Sequence, residues 1–195
     1  MSIKLLKKIP IVLLALNFIA CSLFTPAVTP STTDIEKEEQ SIYSFFVADA
    51  GGVAIILQDT STNISGDNPE QSVDYIKSGL KSISKETLDS YIARNAQPSQ
   101  LSPDMNLGMD YVLLSTNKLS SIMSQNDGWT VFNEIYPNSH GYTEFSRVGF
   151  NNSLDQAVLY VGNMAGPLMG AGFYYLMEKK SGEWVIKEQV MAWIS

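Results

Sequence analysis

Residues 145–194 read FSRVGFNNSLDQAVLYVGNMAGPLMGAGFYYLMEKKSGEWVIKEQVMAWI, and this stretch decides the fold. Apolar side chains recur at every second position in Phe145 to Phe150, Ala157 to Val161, Phe173 to Glu178 and Trp184 to Ile194, with turn-forming runs between them. A period of two over short segments is the mark of strands, and short connections between them favour antiparallel neighbours. Phe173, Tyr175 and Met177 alternate with Tyr174, Leu176 and Glu178, so both faces carry bulk and helices must cover at least one of them. Lys180-Ser181-Gly182 forms a tight turn into the last strand. Gly162 to Gly172, rich in small residues and methionine, reads as a long hairpin connection able to serve as a lid or contact patch.

Upstream the pattern changes to helices with isolated strands. Thr33-Asp34-Ile35-Glu36 fits a capping box opening a helix to about Asp49, with Ile35, Ile42, Phe45 and Phe46 on its apolar stripe. Val53 to Leu57 and Tyr111 to Ser115 read as buried strands. Pro69 behind Asn68, Ser84 and Asp127 mark three further helix starts, the last helix carrying Trp129, Phe132, Ile135 and Tyr136 until Pro137 ends it; a weak helix is expected over Lys118 to Met123. Helices mixed with strands first and strands alone later imply an α+β fold: a curved antiparallel sheet from the C-terminal half, packed with N-terminal helices. Cystatin-like and nuclear-transport-factor-like cones have this form.

The first 21 residues differ from the rest. Lys4, Lys7 and Lys8 precede the apolar run Ile9 to Ala20, which is too short to span a bilayer and reads as an export signal. The chain's one cysteine, Cys21, closes that run, so an intrachain disulfide is impossible. Phe18-Ile19-Ala20-Cys21 resembles a bacterial lipoprotein lipobox, with Phe18 where Leu is commoner. The resemblance implies cleavage after Ala20, a lipid on Cys21, and a protein held at the cell envelope facing the periplasm or exterior. Residues 1–20 are thus expected as signal peptide, 21–33 as acylated cysteine and Pro-containing tether, and 34–195 as one α+β domain.

Removing residues 1–20 takes away three lysines and no acid, so ten Lys and Arg face twenty Asp and Glu and the formal charge moves from −7 to −10. Such a chain repels phosphate backbones and anionic lipid, which disfavours nucleic acid as a partner. Trp129, Phe132, Tyr136-Pro137, the run Phe145 to Asn151, Ala157 to Gly162, Gly170-Ala171-Gly172 and Ala192 to Ser195 look like a block that recurs in uncharacterised exported bacterial proteins. That resemblance implies a fold unit and no catalytic residues.

Candidate chemistry is sparse. His140, the only histidine, lies in the turn Pro137 to Gly141; any Ser/His/acid device would pass through it, with Ser139 or Ser146 as nucleophile. With one His and one Cys, no metal-ligand spacing is present, and no cofactor is expected. Arg147, one of two arginines, stands inside an apolar strand, where it could grip a carboxylate or phosphate as a fork, or pair structurally with Glu144, Asp155 or Glu188. Tyr174 and Trp193 complete the expected ligand-binding set as stacking surfaces or, alternatively, core. The expectation is a membrane-anchored binding or assembly module; a small hydrolase using His140 is the rival.

Overall fold

The computed structural model describes residues 30–48, 52–61 and 69–195; the leader, Cys21 and the first part of the tether lie outside them. Helix α1 (Thr32–Val47) is capped two residues before the expected Thr33, because Ser31 Oγ accepts the Asp34 N–H at 3.2 Å while the Asp34 carboxylate accepts the Ser31 N–H at 3.3 Å. An Asp at the third helical position closes the box as a Glu would. Strand β1 (Ala54–Leu57) is followed by α2 (Pro69–Gly79) and α3 (Lys85–Arg94), the latter capped by Ser84 as its sequence implies. Then come β2 (Tyr111–Leu114), α4 (Thr116–Met123) and α5 (Gly128–Ile135), with Asp127 as the cap of α5. The remaining elements are β3 (Tyr142–Phe145), β4 (Gly149–Phe150), β5 (Gln156–Gly166), β6 (Met169–Lys180) and β7 (Glu183–Ile194).

These strands make one open sheet in the order β2-β1-β3-β5-β6-β7, with β4 beside β5 in line with β3. The C-terminal strands are antiparallel, as the alternation requires, whereas β1 joins both β2 and β3 in parallel. The fold is therefore α+β, with the helices N-terminal and most of the curved sheet C-terminal. Helices cover both faces. On one, Ile42, Tyr43 and Val47 of α1 pack against Phe145, Ala157, Leu159 and Met177. On the other, Ile76, Leu80, Leu88 and Tyr91 meet Val158, Tyr160, Tyr174 and Leu176, while Ile122 and Phe132 of α4 and α5 meet Ile55, Leu57 and Leu114.

Three expectations are corrected. Strand β2, expected to be buried, is the sheet's outer strand, with Val112 exposed. Gly162 to Gly172 is a pair of strands rather than a loop: β5 and β6 stay in register through Gly162↔Gly172 and turn only at Pro167-Leu168. The glycines tolerate strand geometry here because an aromatic ring needs the space; a Cβ on Gly172 would lie 2.2 Å from Trp193 Nε1. Finally, Phe145 to Phe150 is not one strand, since Ser146-Arg147-Val148 interrupts it between β3 and β4.

Candidate functional site

Among the described residues, that interruption carries a strongly polar buried site. A broken strand leaves backbone groups without ladder partners, and burying them unpaired costs about 1–3 kcal/mol each. Side chains from two helices supply the partners. From α1, the Glu39 carboxylate accepts the Val148 N–H at 2.9 Å and the Tyr43 hydroxyl donates to the Ser146 carbonyl at 2.9 Å. From the end of α3, Asn95 bonds both the Arg147 N–H and the Arg147 carbonyl at 2.9 Å. Ser90 Oγ accepts the Phe150 N–H at 3.1 Å, and Ser146 Oγ accepts the Tyr160 N–H at 2.8 Å.

Arg147 is the centre of this arrangement. Its guanidinium forks onto Glu39, Nε to Oε1 at 2.9 Å and Nη2 to Oε2 at 2.6 Å. The second arginine of the chain, Arg94, donates to the same Oε1 at 2.9 Å. Both arginines thus converge on one carboxylate whose side chain is 6% exposed. The acid is none of the three proposed from sequence; it lies 108 residues away, on the opposite end of the fold's chain order. Burial opposes the Arg147 charge, but the hydrogen bonds and charge of Glu39 outweigh it and hold the guanidinium above its usual range. Burial likewise drives the Tyr43 hydroxyl well above the usual phenol range, the negative charge of Glu39 adding to it. A cavity of about 290 Å³ opens beside Arg147, lined by Glu36, Gln40, Gln100, Ser102 and Met105. Glu36 and Glu39 both face it, so the local charge does not favour an anion, and the fork that would grip a ligand carboxylate is already filled.

Tyr174 and Trp193 lie on the other face. Tyr174 is buried, edge-on to Tyr91 with ring centroids 6.3 Å apart and tilted against Tyr160 at 5.6 Å. Burial pushes its hydroxyl up to about 12. Trp193 lies over Gly172 and donates Nε1–H to the Tyr160 hydroxyl at 2.7 Å. Arg147, Tyr174 and Trp193 therefore do not form one ligand site: the arginine packs under α1, and the two aromatics belong to the core beneath α2 and α3.

His140 is exposed on a shallow cavity of about 560 Å³ lined also by Asp110, Asn138 and Ser139. Ser139 Oγ donates to the Tyr136 carbonyl at 2.8 Å rather than facing the imidazole, and Ser146 is fully buried with its hydroxyl engaged. Neither pairing proposed for a nucleophile is assembled. Among the described residues no group of His, Cys, Asp and Glu is arranged to hold a metal ion, and no helix is long and apolar enough to cross a membrane.

Fold and site together define an open-sheet α+β protein whose polar centre is occupied by its own side chains. No family model, curated protein or solved structure matches the chain.

Proposed function

We propose that this protein is a lipid-anchored module of a bacterial envelope, held through Cys21, whose folded body acts by binding or assembly rather than by catalysis. The observation that carries this reading is the leader: three lysines, a dozen mainly apolar residues and Ala20-Cys21, with that cysteine the only one in the chain. A cysteine that can form no intrachain disulfide needs another reason to sit at an export junction, and acylation supplies one. Two features of the body agree with a binding role. The Arg147 fork is committed to Glu39, and the Ser139 hydroxyl beside His140 donates to the Tyr136 carbonyl instead.

The test is metabolic labelling with a radioactive or clickable palmitate. The parent chain should take up label, and Cys21→Ser should lose it. Equal labelling of the two would refute the anchor.

A further inference from the structure

The described body is polarised along the sheet. Glu38 of α1 pairs with Lys179 and accepts the Trp184 Nε1–H, while Phe46 lies tilted against Tyr175 with ring centroids 4.7 Å apart. The eight residues between the two α1 positions span about 12 Å of helix, and the four between Lys179 and Tyr175 about 13 Å of strand, so α1 runs antiparallel to β6. Helix α1 therefore starts beyond the Ser181-Gly182 turn and ends well short of the β5–β6 hairpin tip. The distance from Ser31 to that tip is about 45 Å.

The uncovered end of the sheet is apolar and exposed. Leu168 at the turn is 81% exposed, Met169 65% and Ile194 69%, with Met191 exposed beside them. The strand register places these side chains together: Ala171 pairs with Ile194 and Phe173 with Met191, on the face that α1 leaves bare. Turn tips ordinarily carry Gly, Pro, Asn, Asp or Ser; here the residue after Pro167 is the apolar Leu168. No Asp, Glu, Lys or Arg occurs between Asp155 and Glu178, or after Glu188, in a chain of net charge −7. The acids of α1 gather at the far end, at Asp34, Glu36, Glu38 and Glu39.

We propose that this pole is a second membrane contact, in which Leu168, Met169 and Ile194 enter the boundary between headgroups and acyl chains of the bilayer to which Cys21 tethers the protein. The inference rests on the anchoring reading above. A protruding tip without charge suits a lipid surface, which demands no shape match and no polar register, better than a specific protein pocket with its polar rim. The chain length agrees. Nine residue steps lead from Cys21 to Pro30, a reach of at most about 30 Å. With about 45 Å between the tether's end and the tip, the body can touch the bilayer only by leaning, its long axis less than about 40° above the membrane plane. Transfer of a large apolar side chain out of water is worth roughly tenfold or more in partitioning, so a few such residues suffice when a tether already holds the protein at the surface.

An acylated Cys21 has no free thiol, so Leu168→Cys in the full chain introduces a single one for an environment-sensitive fluorophore. The protein is reconstituted in phosphatidylethanolamine/phosphatidylglycerol vesicles with and without brominated acyl chains. Labels at Leu168→Cys and Ile194→Cys should be quenched at least twofold by the brominated lipid, and a label at Lys180→Cys, at the opposite end, should not. Quenching at 168 and 194 no greater than at 180, while the vesicles still carry the protein on flotation, overturns this inference and leaves the anchor standing. A blue-shifted but unquenched label means contact with a second copy and also overturns it. Failure of the parent chain to float with vesicles overturns the anchor and this inference together.

Discussion

Removing the Glu39 carboxylate is the most informative perturbation of the body. In Glu39→Ala four hydrogen bonds vanish at once, from Arg147 Nε, Arg147 Nη2, Arg94 Nη2 and the Val148 N–H. Two guanidiniums, each with a side chain 24% exposed, lose their counter-charge, and a buried amide loses its acceptor. Breaking a buried pair from one side costs about 3–5 kcal/mol, and an unpaired buried amide alone accounts for about 1–3 kcal/mol of such a loss. For a body of this size each kcal/mol moves the melting midpoint by about 2–4 °C, so the midpoint should fall by roughly 10 °C. Urea unfolding followed by far-UV circular dichroism gives the free energy directly. Because Arg94 and Arg147 share the carboxylate, Arg94→Met should cost much less in the Glu39→Ala background than in the parent, a coupling of more than about 1 kcal/mol. A loss below about 1 kcal/mol for Glu39→Ala, or additive behaviour with Arg94→Met, would refute the idea that this carboxylate closes the strand break.

Other consequences are smaller but separable. Burial raises the Glu144 pKa, with a Ser61 hydrogen bond partly offsetting it. The folded state then holds the proton more tightly than the unfolded one, so stability falls as pH rises from the ordinary carboxylate range through the folded pKa. Glu144→Gln should be more stable than the parent at pH 7 and equal to it near pH 4, as read from urea midpoints at the two values; no difference at pH 7 speaks against the burial cost. Gly172→Ala should displace the Trp193 indole, break its bond to Tyr160 and cost about 1–3 kcal/mol, with a changed near-UV circular dichroism band; an unchanged band would mean the ring does not need that space. Ser84→Ala removes the acceptor of the Thr87 N–H at the start of α3 and should cost about 1 kcal/mol in urea unfolding, against none if the cap is idle.

What the sequence discloses is what local chemistry decides. Ser84 and Asp127 cap their helices, and Ser181-Gly182 forms the β6–β7 turn with positive φ at both residues, because each of these outcomes depends on neighbours within a few positions. The period-two pattern likewise places β5, β6 and β7. Three things are illegible for one reason, that their cause is distant. Gly162, Gly170 and Gly172 resemble a loop until Trp193 is seen lying over two of them. Val148 and Phe150 continue an apolar alternation although the strand stops, since side chains from α1 and α3 replace its ladder. The partner of Arg147 could be any of twenty acids by sequence, and only the crossing of α1 over the β3–β4 break selects Glu39. Val112 shows the same limit from the other side: a short apolar run looks alike at the centre and the edge of a sheet.

Intact mass spectrometry of the protein extracted from envelope membranes bears most directly on the functional account. The account predicts a chain that begins at Cys21 and is heavier than its polypeptide by a diacylglyceryl group. A chain recovered with an unmodified Cys21, or cut at any other bond, would contradict it.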